Sequence, residues 1–136
     1  MDVYAENILD HYRHPRGKKR LPSATVEHRE ENVVCGDALT LQLAINDHHN
    51  IDLGWEGTGC AISQASMSML CEEIEGKPLA ALEAFKKDDV YALLGVPIGL
   101  RRMKCALLSL HTLKNALRKA RGEAPQGWLQ TVEIEE

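Results

Sequence analysis

Aromatic side chains are scarce here. They make up 4% of the 136 residues, with a single Phe, so any core must be aliphatic and filled out with Met. No Cys-x-x-Cys pair occurs among the four cysteines, which removes the main support for a thioredoxin-like redox site or a zinc ribbon. No Pro-Cys-x-x-Cys occurs either, so the cytidine-deaminase pattern is missing. Positive charge is not in excess. The formal net charge is -4 and the pI is near 5.9, which argues against general nucleic-acid binding. No apolar run is long enough to span a bilayer, and no secretory n-region is followed by an apolar h-region. The expectation is therefore a cytoplasmic chain with neither nucleic acid nor membrane as partner. In such a chain, metal or sulfur chemistry is a better use of cysteine than disulfides. A hydrophobic content of 44% can fill one core. Residues 1–121 are expected to form a single domain, with 122–136 as a C-terminal tail.

What is present is organised around GTGCAISQASMSML, Gly57 to Leu70. Two glycines end an extended segment and permit a tight turn. Cys60 follows at once and starts a helix, where the dipole and free N–H groups favour a thiolate. Upstream, residues 2–13 read as a helix capped by Asp2, with Val3, Ile8, Leu9 and Tyr12 as a stripe and Pro15 and Gly17 as its stop. The basic Arg13–Arg20 segment reads as a solvated loop, with docking of an acidic partner as the functional alternative. Residues 24–34 are partly extended. Ala38–Ile45 alternates apolar and polar residues as a half-buried strand. A hairpin loop follows at Asn46–Asn50, tipped by His48 and His49. The strand returning from Ile51 puts Ile51, Leu53 and Trp55 on one face. This hairpin brings Asp37 and Cys60 to the same end. The helix from Cys60 runs to about Glu75, stopped by Gly76 and Pro78. Short helices are expected over 79–85 and over 88–94, the latter capped by Asp88. A long helix runs from about Met103 to Arg121, with Leu107, Leu110, Leu113 and Leu117 inward. The tail from Gly122 is expected to be mobile, with Trp128 its one docking residue.

Three cysteines lie at junctions: Cys35 before a strand, Cys60 and Cys105 at helix starts. Asp37 follows Cys35 closely enough to reach the same side of the loop. Three thiolates and one carboxylate make a tetrahedral shell for zinc, or for iron in a sulfur-bridged cluster. The carboxylate is the hard, weakly held member, which suits a site that loads and unloads. Cys71 lies roughly 16 Å from Cys60 along a helix axis and belongs to the core. His11, His14, His48, His49 and His111 share no ligand spacing with the cysteines. Arg102 and Lys104 precede Cys105. Cations oppose the dipole at a helix start but lower the pKa of a nearby thiol. Either they are the solvated start of the helix, or they pair with Asp37 or stabilise a thiolate or persulfide.

Four stretches together resemble one family: DHYRHPRG (Asp10 to Gly17), CGD (Cys35 to Asp37), GTGCAISQASMSML, and RMKCA (Arg102 to Ala106). They are similar to the U-type iron–sulfur cluster assembly proteins, the IscU, SufU and NifU N-terminal group, over about Tyr4 to Ala120. The resemblance implies an α+β fold with a small antiparallel three-stranded sheet, helices packed on one face, and a metal site at one exposed end. It implies Cys35, Asp37, Cys60 and Cys105 as ligands for iron or zinc and for a transient 2Fe–2S cluster. The implied partners are a cysteine desulfurase, an iron donor and apo iron–sulfur acceptor proteins. Cys35 is the implied sulfur acceptor by SufU resemblance, and Cys105 by IscU resemblance. In the IscU branch a histidine precedes the last cysteine, where this chain has Lys104. That branch's Leu-Pro-Pro-Val-Lys stretch is replaced by Gly95-Val96-Pro97-Ile98-Gly99-Leu100. Arg102, Lys104 and the AISQAS run resemble SufU, yet the SufU insertion before the last cysteine is absent. The chain is SufU-like in its site and IscU-like in its length.

Three readings follow. The first is an assembly scaffold that accepts sulfur and binds iron or zinc. The second is a zinc-dependent sulfur-relay transferase that activates the desulfurase without building a cluster. The third is a binding module with structural zinc, which predicts unfolding on metal removal and no sulfur on any cysteine.

Overall fold

The computed structural model describes residues 3–48 and 50–132. The expected Asp2 cap, His49 at the hairpin tip and the acidic end of the tail lie outside the described residues. The chain runs α1 (Val3–Arg13), β1 (Val26–Asn32), β2 (Asp37–Ile45), β3 (Ile51–Thr58), α2 (Ala61–Ile74), α3 (Leu79–Glu83), α4 (Lys87–Leu94), a 3-10 turn (Leu100–Arg102), α5 (Met103–Ala120) and α6 (Trp128–Thr131). No helix among the described residues is long and apolar enough to cross a membrane.

The sheet is an antiparallel meander in the order β1-β2-β3. Val26 pairs with Leu43 and Asn32 with Asp37 on one side; Leu41 pairs with Trp55 and Ala38 with Thr58 on the other. The alternation of β2 and β3 sends Leu39, Leu41, Leu43, Ile51, Leu53 and Trp55 into the core, each fully buried. A one-residue slip would turn all six outward, so this pattern fixes the register. α5 lies over β1 and β2, with α2 beside it. Neighbours on several sides bury α5 nearly all round from Cys105 to Leu113. The expected stripe of Leu107, Leu110, Leu113 and Leu117 is buried as part of that larger surface.

The Gly17–Leu21 segment wraps the β3 edge. The Trp55 N–H donates to Gly17 O at 3.1 Å, and the Leu21 N–H donates to Gln42 Oε1 at 2.7 Å. Gly54 is needed there, because a Cβ would sit 2.5 Å from Lys19 O. Covering an edge strand in this way removes a template for aggregation. The basic residues of this segment are used internally. Arg16 pairs with Asp10 and Glu72, and Arg20 with Glu27 and Glu56; Lys18 sits 5.3 Å from the Trp55 ring centre.

Three local expectations change. On α1 the buried residues are Ile8 and His11, while Val3 and Tyr12 are exposed. His11 Nδ1 lies 2.7 Å from Ser68 Oγ on α2, so a polar pair fills the space the stripe predicted for hydrocarbon. On α4 the first turn is closed by Asp89, which accepts the Lys86 N–H at 2.8 Å, and not by Asp88. The segment after Gly122 is docked: Trp128 stacks on His111 at 4.1 Å, His111 Nδ1 lies 2.6 Å from Thr131 Oγ1, and the Gln126 N–H donates to Asn115 Oδ1 at 2.7 Å.

Candidate metal centre

The β1–β2 turn closes on itself before it delivers Cys35. The Cys35 N–H donates to Asn32 O at 3.2 Å and the Gly36 N–H to Val33 O at 3.3 Å. The left-handed φ of +71° at Gly36 permits that turn. Cys35 is exposed at its tip, between Val34, which is 92% exposed, and Gly36. Asp37 begins β2 and is buried.

The β2–β3 ladder carries Thr58 back beside Ala38 and sets Gly59 against Asp37. A Cβ on Gly59 would lie 2.2 Å from Asp37 Oδ1 and 2.8 Å from its Cα, at a φ of +138°; only glycine leaves the carboxylate its place. Asp37 Oδ1 then accepts the Cys60 N–H at 2.9 Å. Cys60 is the N-terminal cap residue of α2 and makes no side-chain cap of its own. Asp37 therefore supplies, from another element, an acceptor that the helix start lacks.

Cys105, in the first turn of α5, is 3% exposed. Its Sγ lies 3.2 Å from Cys35 Sγ and 3.8 Å from Asn32 Nδ2. The ligand atoms of Cys35, Asp37 and Cys105 all lie within 4.8 Å of one another. The Cys60 sulfur stands outside that compact trio but lines the same open depression of about 260 Å³, with Cys35, Cys105, Arg101 and Arg102. Three of the four sequence-expected residues thus converge, and the fourth flanks them.

The electrostatics leave a place for a cation. Burial pushes the Cys105 thiol up, and the hydrogen bond with Cys35 and the charges of Cys60 and Asp37 push it further. Asp37 Oδ2 is buried and has no hydrogen-bond partner. An unpaired buried carboxylate oxygen costs free energy. A divalent ion would satisfy it and favour the thiolates together. The donor set of soft sulfurs and one hard oxygen fits zinc or iron.

Neither Arg102 nor Lys104 is paired with Asp37 among the described residues, and neither cation is a cause of the Cys105 shift. Lys104 Nζ instead sits 5.6 Å from the Trp128 ring centre, drawn away by a cation–π contact. Arg102 stays at the mouth of the depression. Cys71 is buried in the core beside Met67 Sδ at 3.8 Å, and burial pushes its thiol up. His111 belongs to the α6 contact, and His11 to the α1–α2 contact. Sequence reasoning missed Asn32 and the role of Gly59. The glycine before Cys60 was a signal for the latter; nothing in a single sequence marked Asn32.

A family model for the NifU-like N-terminal domain matches residues 3–125. The chain belongs to this family. The iron–sulfur cluster assembly scaffold protein IscU of Thermotoga maritima is 34% identical over 133 residues, covering 86% of this chain and 94% of that protein. The zinc-dependent sulfurtransferase SufU of Bacillus subtilis is 32% identical over 137 residues, covering 88% and 92%. The crystal structure of the N-terminal part of a nitrogen-fixing NifU-like protein from Brucella abortus has a TM-score of 0.72 at 21% identity, over 90% of this chain and 96% of that one; it shows the fold alone. In this NifU-like domain the candidate ligands come from three places: the β1–β2 turn and its exit, the start of α2, and the start of α5.

Proposed function

We propose that this domain is a scaffold on which iron–sulfur clusters are assembled, with Cys35, Asp37, Cys60 and Cys105 as the ligand set. The observation that carries the reading is the convergence of Cys35, Asp37 and Cys105 at an exposed end, with one buried carboxylate oxygen unpaired. The partners are a cysteine desulfurase, an iron donor and apo acceptor proteins. The Cys35 thiolate attacks the outer sulfur of the desulfurase persulfide; the S–S bond breaks and the desulfurase thiolate leaves. Exposure of Cys35 on its turn supports it as acceptor over Cys105, which is buried with its thiol held protonated. Each sulfane sulfur then needs two electrons from an external dithiol or reduced ferredoxin to become sulfide. The assembled 2Fe–2S cluster is cargo, and Asp37 is the hard ligand that gives way first when it leaves. A resident zinc, when bound, would lower the thiol pKa values and fix the sulfurs.

The second reading is zinc-dependent sulfur relay without cluster assembly. It is favoured by Lys104 in place of a histidine before Cys105 and by likeness to the Bacillus protein. Anaerobic incubation with desulfurase, cysteine, a dithiol and ferrous iron, followed by visible absorption of the repurified protein, separates the two. A chromophore lost in Cys35→Ser and transferable to apo-ferredoxin supports the scaffold. A colourless protein that keeps one zinc and speeds the desulfurase supports relay.

A further inference from the structure

β1 sends Val26 and Asn32 to its buried side and exposes Glu27, Arg29 and Glu31. Position 32 therefore faces inward, where hydrocarbon would pack without cost. A carboxamide there is unfavourable unless it is bonded, and Asn32 is 4% exposed. Its Nδ2 points at Cys105 Sγ, 3.8 Å away. Among the described residues it is the only nitrogen donor to a cysteine sulfur. The same residue accepts the Cys35 N–H through its carbonyl and pairs with Asp37 across the β1–β2 ladder. Asn32 thus adjoins three of the four candidate ligands.

We infer that Asn32 is a positioning residue for the metal centre, fixing the Cys105 sulfur and donating an N–H···S hydrogen bond to its thiolate when a metal is bound. The inference rests on the scaffold reading only in requiring that Cys105 ligate a metal; it holds equally for the zinc relay. A metal-bound thiolate keeps lone-pair density that a donor stabilises. Such a bond orients the ligand and withdraws charge from the metal, as outer hydrogen bonds do at other thiolate sites. Cys105 is buried, and no cationic side chain is bonded to its sulfur among the described residues, so this neutral donor is its compensation.

The test uses the full chain, handled anaerobically, with zinc and with cobalt(II) as a spectroscopic replacement. Asn32→Leu keeps the size and removes the donor; Asn32→Ala removes both. Each is expected to lower zinc affinity about 10–100-fold against a chromophoric chelator. Each also moves the sulfur-to-cobalt charge-transfer band to lower energy, which a merely structural role would not do. Asn32→Ser, which keeps a donor, recovers part of both. In a Cys105→Ser background, Asn32→Leu is expected to change neither further. Wild-type affinity and band position in folded Asn32→Leu or Asn32→Ala overturn the inference. So does an equal loss that persists in the Cys105→Ser background. A wild-type chain that takes up neither zinc nor cobalt refutes the metal centre itself, before any variant is made.

Discussion

Gly59→Ala tests how Asp37 is held. The new Cβ would meet Asp37 Oδ1 at 2.2 Å and Asp37 Cα at 2.8 Å. The second contact is to backbone, so a side-chain rotation cannot relieve it. The φ of +138° adds a conformational cost of about 1–3 kcal/mol for an L-residue. Displacing the carboxylate also breaks its bond to the Cys60 N–H, a hydrogen bond to a charged group worth about 1.5–3 kcal/mol. The sum is about 2.5–6 kcal/mol. With a urea m value of about 1–3 kcal/mol/M for a small domain, the midpoint falls by about 2 M. Gly36→Ala is the control: its φ is +71° and no atom lies within 4 Å of the added Cβ, so only the left-handed backbone cost of about 1–2 kcal/mol applies. Both are measured by urea unfolding of metal-free, reduced protein followed by circular dichroism. Equal midpoints for the two variants would refute the placement of Asp37 against Gly59 and with it the geometry of the ligand trio.

Other outcomes follow from the same structure. Asp37→Ala removes the hard ligand, so a reconstituted cluster is expected to pass more slowly to apo-ferredoxin; transfer at the wild-type rate, followed by visible absorption, would discard the labile-ligand argument. Cys71→Ala is expected to leave metal stoichiometry unchanged, read by elemental analysis, because Cys71 lies in the core. Trp128→Ala loses its stacking on His111 and part of its burial, about 1–3 kcal/mol, and should speed tryptic cleavage at Arg121; unchanged cleavage would mean the segment is not docked. Burial lowers the pKa of both His11, helped by the Arg16 charge and opposed by Glu72 and Asp10, and His111, opposed by Glu30 and helped by His28 and Lys104. The unfolded chain then binds more protons below the ordinary value of 6.5. Stability is retained above that pH, falls by up to about 1.4 kcal/mol per pH unit for each histidine below it, and levels off beneath the folded values. Equal urea midpoints at pH 7.5 and 5.5 would contradict this.

Much of the fold was legible because period and punctuation agree. Alternation in Ala38–Ile45 and Ile51–Trp55 marks the core face, and Gly76 with Pro78 marks the end of α2. The return of β3 toward Asp37 follows from hairpin geometry alone, which is why the Asp37–Cys60 pairing could be anticipated. What escaped depends on tertiary partners. Trp128, Gln126 and Thr131 look like tail residues until α5 presents His111 and Asn115 to them. Lys104 stands next to Cys105 in the sequence, and only the folded chain sets it over the Trp128 ring. His11 breaks an apolar stripe because Ser68, far along the chain, is there to bond it. Asn32 looks like the polar end of a strand, and only packing turns it toward Cys105.

The candidate ligands are spread over the chain: Cys35 and Asp37 on the first hairpin, Cys60 at the end of the second, Cys105 at the start of the last long helix. A metal taken by all four would tie the sheet, α2 and α5 at one point, acting as a removable cross-link across segments far apart in sequence. Loading would then report that the whole domain has assembled, since a chain with α5 undocked lacks one sulfur of the set. Release of cargo, by the same logic, would remove that tie and lower resistance to unfolding, so emptied domains would be the more readily cleared by proteolysis.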